Sequence, residues 1–218
     1  MKEIAEHVES LGYSYLEIYD GIILIYDFLE KSDTDPLWEI IEKATQEDWE
    51  KDYKDSQVEL ARRKYGRVDI ENLIAEGLME YTYDWSDKAI QIPREYTESL
   101  NKRISKLFDF NKDLWYGWID TIQRQYSGSE LKAHIDSDGD PEILYAVIGY
   151  LNDDYSNGEL FFPNIDLKVK PPANSIIIFP DGEQYKHGVN APGDGPQRYA
   201  LPTFVRHISN AEGNRSSP

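Results

Sequence analysis

The run LWYGWIDTIQRQY, residues 114–126, is where the chain changes texture. Before it, apolar residues recur mostly at helical spacing; from it onward, short β-branched and aromatic runs follow one another, broken by Gly, Pro, Asn and Asp. EILYAVIGYL (142–151), GELFFP (158–163), LKVKPP (167–172), NSIIIFP (174–180) and RYALPTFV (198–205) continue the series. Such a pattern is expected of an all-β sandwich, barrel or jelly roll. Within the first run Trp115, Tyr116 and Trp118 read as core and outer-face packing in preference to a peptide groove.

Working back from residue 114, the spacing predicts helices over 69–79 and 96–108, and mixed helix and loop over the highly charged stretch 45–68. SDTDPLWEIIEKA (32–44) reads as a helix with Asp35 as N-cap, Pro36 at the first helical position, and Leu37, Ile40, Ile41 and Ala44 on its apolar face. GIILIYDFL (21–29) reads as a buried strand that adds an outer strand to the sheet. The expected fold class is α+β, mainly β. It forms a single domain over 1–208, with a helix-rich support (1–112) bracing a β core (113–208), and residues 209–218 form a disordered tail.

Of 218 residues, 40% are hydrophobic and 13% aromatic, enough apolar material for a substantial core. There are 41 acidic against 23 basic residues, a formal charge of −18 that repels a phosphate backbone and argues against nucleic acid as a partner. Cysteine is absent, which excludes disulfides, a thiol nucleophile and thiolate metal ligands, so any metal must be held by His, Asp and Glu. No membrane-spanning or signal-like run occurs, and a cytoplasmic protein without membrane partners is expected.

LKAHIDSDGD (131–140) packs three carboxylates and one of only four histidines into ten positions. As a calcium loop starting at Asp136 it fails, because the position that requires Gly is Pro141 and the position that requires Glu is Val147. A plain acidic turn accounts for Asp138 and Asp140, but less well for His134 and Asp136. On a strand, side chains at i and i+2 share a face, so this pair can present one imidazole and one carboxylate to a common point. His187, in QYKHGVN after the strand NSIIIFP, is a third candidate. Two His and one carboxylate make the facial triad of non-haem Fe(II) oxygenases, although zinc accepts the same ligands. Arg198, at the start of the next strand, offers a guanidinium fork for a carboxylate, which suggests a dicarboxylate held by the metal at one end and by Arg198 at the other. His7 and His207 read as surface histidines, and Thr203 as a structural strand residue or a hydroxyl supporting the site.

The motifs QYSGSELKAHID, AVIGYLND, NGELFFP, VKPPANSIIIFP and HGVNAPGDGPQRYAL, in that order, resemble the 2-oxoglutarate- and Fe(II)-dependent dioxygenases, within them the prolyl 4-hydroxylase-like branch, from about residue 120 to 206. The resemblance implies a double-stranded β-helix, that is, a jelly-roll core. It also implies iron at His134, Asp136 and His187, and a salt bridge from Arg198 to the far carboxylate of 2-oxoglutarate. Tyr150 stands where some members bond that carboxylate, and Tyr126 near where others have a tyrosine facing the metal-bound end; both are otherwise ordinary half-buried sheet tyrosines. Leu131 replaces an aromatic common in the family, so the rim of the pocket differs. Retention of Asp136 favours hydroxylation over halogenation. The implied cofactors are Fe(II), 2-oxoglutarate and O₂, with ascorbate as an accessory, and the implied substrate is a prolyl residue in a peptide or protein. A free amino acid or other small molecule, a silent jelly-roll binding module and a zinc hydrolase stand as alternatives. The oligomeric state is not legible.

Overall fold

A computed structural model describes residues 2–49, 89–138 and 142–207. β2 (Ile22–Ile25), the strand IILI, is buried at every position. On one side it pairs with β1 (Tyr15–Tyr19), on the other with β10 (Ile176–Pro180), which in turn pairs with β7 (Ile143–Tyr150). β12 (Arg198–His207) follows, then β5 (Thr121–Gln125) and β3 (Ala89–Gln91), with β4 (Leu114–Tyr116) pairing the far end of β12. All of these pairings are antiparallel, and together they form an eight-stranded sheet. A second, four-stranded antiparallel sheet runs in the order β6 (Leu131–His134), β11 (His187–Val189), β8 (Leu160–Phe162) and β9 (Leu167–Val169).

Strand alternation sorts the apolar side chains into two cores. Ile23, Ile25, Val147, Ile176, Ile178, Leu201 and Val205 face one way and pack with helical residues such as Val8, Leu37, Leu100 and Ile104. Ile22, Leu24, Ala146, Tyr150, Ile177 and Phe179 face the other way, toward Leu160 and Phe162 of the small sheet. The central strands therefore read as unbroken apolar runs because both faces are covered, by helices on one side and by a sheet on the other. The chain is mainly β, with helices bracing the outer face of the large sheet.

Among the described residues, α1 (Lys2–Ser10), α2 (Lys31–Lys43) and α3 (Arg94–Lys106) contribute to that brace. None of the described helices is long and apolar enough to cross a membrane. α3 matches the expected helix to within two residues at each end. α2 differs from the expectation, since Asp35 and Pro36 do not open it. It begins a turn earlier, because the Asp33 carboxylate accepts the Glu30 amide at 2.7 Å and pairs with Arg103, so that Pro36 lies inside the helix. β2 is not the outermost strand either, since β1 covers its edge. His7 is no plain surface histidine: its Nε2 lies 2.8 Å from the Lys106 carbonyl and 2.9 Å from the Asp109 carboxylate, pinning α1 to the end of α3. His207 is exposed, as expected. The expected helix at 69–79, the tail and nearly all of the 45–68 stretch lie outside the described residues.

Asn101 joins α3 to the start of the β core. Its carboxamide oxygen accepts from the Ile119 amide at 2.8 Å and from the Tyr116 hydroxyl at 2.5 Å, and its nitrogen donates to the Thr97 carbonyl at 2.8 Å. With Asn101 only 2% exposed, its truncation leaves a buried amide and a hydroxyl without partners, each costing about 1–3 kcal/mol. We predict that Asn101→Ala lowers the unfolding free energy by about 3 kcal/mol in urea titrations, with the urea dependence unchanged.

Candidate metal and dicarboxylate site

His134 closes β6 and His187 opens β11, and the register of the two strands sets them directly opposite each other, ring centroids 4.6 Å apart. This approach depends on Gly188. A Cβ there would sit 2.5 Å from the Leu131 carbonyl oxygen and 2.7 Å from the Phe161 ring, so β11 fits between β6 and β8 only without a side chain at that position.

Each imidazole is oriented through its Nδ1, which faces the Lys132 carbonyl at 2.9 Å in His134 and the Tyr185 carbonyl at 3.2 Å in His187. A carbonyl only accepts, so each Nδ1 carries a proton, and Nε2 is the nitrogen that each ring turns toward the same place. Asp136 meets them there, its carboxylate oxygens 3.3 Å from Nε2 of His134 and 3.7 Å from Nε2 of His187. Strand alternation does not deliver it, contrary to the expectation: β6 ends at His134, and Asp136 opens a 3-10 turn that folds its carboxylate back. The candidate ligand atoms of the three residues all lie within 4.8 Å of one another.

Where both rings are neutral, two Nε2 lone pairs face a carboxylate, an arrangement that a cation between them relieves. The Asp136 Oδ2 atom is buried and has no hydrogen-bond partner, which is the residue a divalent ion would satisfy. The donor set, two imidazole nitrogens and one carboxylate oxygen, suits a first-row divalent metal with coordination positions left open.

A cavity runs past His187 to Arg198, walled by Leu131, Ile148, Leu160 and Val189. Arg198 begins β12, in the other sheet, so it faces the histidines across the sandwich and not from a strand hydrogen-bonded beside theirs. It is 3% exposed. Its guanidinium lies 4.8 Å from the Tyr150 ring centroid and donates to Gln125 Oε1 at 2.7 Å. Among the described residues no carboxylate forms an ion pair with it, and its Nε, like the buried Tyr150 hydroxyl, has no hydrogen-bond partner. A buried cation answered only by a neutral amide is costly, and an anionic ligand would remove that cost.

Tyr126 follows β5 and opens a turn closed by Ser129; neither it nor Tyr150 lines this cavity, but Tyr150 lies against Arg198, which does. Leu131 does line it. Thr203 donates to the Gly117 carbonyl at 2.7 Å, a structural bond. Two polar residues of the Arg198 end went unread in the sequence. Gln125 is cross-strand from Arg198, a register that only the paired strands reveal. Tyr155 lies in the loop after β7, where the only signal is its distance of five residues from Tyr150.

Burial holds the His187 imidazole below its ordinary titration range, opposed by the nearby Asp136 carboxylate and reinforced by His134. The ring therefore stays neutral in the fold while the unfolded chain takes up a proton near pH 6.5, and metal-free stability falls as pH drops through and below that value. Replacing His187 with Leu removes the linkage. Between pH 7.5 and 5.5 the metal-free variant should gain up to about 1 kcal/mol relative to the wild type in chemical denaturation.

Residues 121–206 match the family model described as the 2OG-Fe(II) oxygenase superfamily. No curated protein sequence matches the chain. Among solved structures, a viral collagen prolyl hydroxylase from Paramecium Bursaria Chlorella virus-1, solved with 2OG, aligns with a TM-score of 0.58 at 16% identity, over 87% of this chain and 97% of its own. A Trichoplax adhaerens prolyl hydroxylase, in complex with a hypoxia inducible factor oxygen degradation domain peptide fragment, gives 0.58 at 17% identity, over 100% and 94%. A Pseudomonas putida prolyl-4-hydroxylase gives 0.50 at 17%, over 94% and 98%. Residues 121–206, less than half of the chain, thus match the 2OG-Fe(II) oxygenase superfamily, a likeness that supports an oxygenase.

Proposed function

We propose that the protein is a 2-oxoglutarate- and Fe(II)-dependent dioxygenase that hydroxylates a prolyl residue in a peptide or protein. The observation that carries the reading is one cavity bounded by His187 of a two-imidazole, one-carboxylate cluster with an orphaned buried oxygen and by a buried arginine with no counter-charge among the described residues. In this reading residues 1–208 form one domain whose two sheets are a double-stranded β-helix.

His134, Asp136 and His187 would hold Fe(II), with the Asp136 carboxylate offsetting part of its charge. When bound, Fe(II) with 2-oxoglutarate and O₂ supplies the oxidising power that inserts one oxygen atom into an unactivated C–H bond as 2-oxoglutarate becomes succinate and CO₂. The chain's own work is positional. Arg198 grips the far carboxylate, Gln125 fixes the plane of the guanidinium, and the Tyr150 hydroxyl adds a donor at the same end. Leu131, Ile148, Leu160 and Val189 keep the cavity apolar, which excludes water and fixes the acid's orientation. No side chain is required to act as general acid or base.

A peptide substrate is supported by the shape shared with structures described as prolyl hydroxylases, one of them holding a peptide. The negative charge of the chain favours a neutral or basic partner over an acidic one.

The test is succinate release by Fe(II)-loaded protein, with and without proline-containing peptides and with free proline, followed by mass analysis of the products. The proposal expects peptide-dependent succinate and a peptide gaining one oxygen atom; a response to free proline alone would reassign the substrate to small molecules. Asp136→Ala should abolish turnover. Arg198→Ala should raise the 2-oxoglutarate requirement at least roughly thirtyfold, about 2 kcal/mol, with metal content nearly unchanged.

A further inference from the structure

The loop after β7 carries a group that the reading above does not use. Tyr155 is 1% exposed, and its hydroxyl is buried without a hydrogen-bond partner. A buried phenol that bonds nothing costs stability, so its retention asks for a ligand. Two neighbours share the condition: the Tyr150 hydroxyl and the Arg198 Nε are also buried and unsatisfied.

The three groups belong to one cluster. Arg198 lies over the Tyr150 ring and reaches the Tyr155 hydroxyl closely enough to act on its titration by charge and by a weak side-chain hydrogen bond, in a geometry too poor to satisfy the hydroxyl. Burial drives that hydroxyl above the ordinary phenol range, with Arg198 opposing and Tyr150 reinforcing, so it stays protonated and available as a donor at neutral pH.

The Tyr155 ring is also held in place. The Lys170 ammonium donates to the Tyr155 carbonyl at 2.5 Å and sits 4.6 Å from the ring centroid. Gly158, at φ +71°, leaves room on another side, where a Cβ would come within 3.0 Å of the ring. The loop itself is anchored at Asn152, whose side chain donates to the Gln197 carbonyl at 2.7 Å and accepts from the Tyr199 amide at 2.9 Å, the residues on either side of Arg198. A donor fixed in this way loses little entropy when it binds.

We propose that Tyr155 is a specificity-determining residue, donating with Arg198 and Tyr150 to the distal carboxylate of the 2-oxo acid, so that the site discriminates dicarboxylate from monocarboxylate cosubstrates. This rests on the reading of Arg198 as the far-carboxylate group.

The experiment compares wild type and Tyr155→Phe, both loaded with Mn(II), by calorimetric titration with 2-oxoglutarate and with 2-oxopentanoate, the same five-carbon 2-oxo acid without the distal carboxylate. A charge-assisted hydrogen bond lost from a buried site corresponds to about tenfold in affinity or more. Tyr155→Phe should bind 2-oxoglutarate about tenfold more weakly and 2-oxopentanoate unchanged. Without ligand it should unfold at or above the wild-type urea midpoint, since it loses an unsatisfied hydroxyl and keeps the ring. Equal weakening of both acids together with a lowered midpoint would assign Tyr155 a structural role and overturn the proposal, as would unchanged 2-oxoglutarate affinity in a variant of a wild type that binds it. A wild type showing no preference for 2-oxoglutarate over 2-oxopentanoate would take down the assignment of Arg198 together with that of Tyr155.

Discussion

The site depends on a register. β11 must pass between β6 and β8 closely enough to set His187 opposite His134, and the missing side chain at Gly188 is what permits it. Backbone carbonyls two residues before each histidine, at Lys132 and Tyr185, then turn both Nε2 atoms inward. The imidazoles are therefore oriented by the strands' own peptide groups, so the ligand geometry is as rigid as the small sheet. Asp136 completes the cluster only because β6 stops at His134 and the chain tightens into a turn.

The second constraint is electrostatic. Two arginines of the described structure, one half-buried and one buried, contrast. Arg103, 17% exposed at its side chain, is met by the buried Asp33 carboxylate, and the pair locks α2 to α3. Arg198 is met by Gln125, a neutral acceptor. Buried ion pairs that merely stabilise are closed by the protein itself. An arginine aligned by an amide and flanked by two unbonded tyrosine hydroxyls is organised for an anion from outside. In a chain of formal charge −18, that local positive site sits against the overall field and can select its ligand by contact and not by attraction at long range.

Much of this was legible in the residues. HxD followed by a distant HG and then an arginine at the head of a β-branched run is a chemical pattern, and the alternating apolar runs after residue 114 announce strands whatever their order. The missed features share a physical cause, which is dependence on partners remote in sequence. The start of α2 is set by Arg103, seventy residues downstream of Asp33. β1 covers the edge of β2 with a half-exposed strand, YLEIY, too weakly patterned to announce itself. His7 became a structural pin through Lys106 and Asp109. Gln125 takes its meaning from the cross-strand pairing with Arg198, and Tyr155 from the lysine and glycine that seat its ring. The Asp136 inference reached the right neighbourhood by the wrong geometry, since a turn replaced the strand on which the alternation argument rested.

The most direct test of the central claim is an anomalous-scattering map from crystals grown anaerobically with Mn(II) and a non-reactive 2-oxo diacid analogue. The account predicts one metal peak bonded to Nε2 of His134, Nε2 of His187 and the Asp136 carboxylate, with the analogue chelating it and extending through the cavity to Arg198. A peak elsewhere, or an analogue whose far carboxylate points to solvent while Arg198 keeps only Gln125, would contradict it.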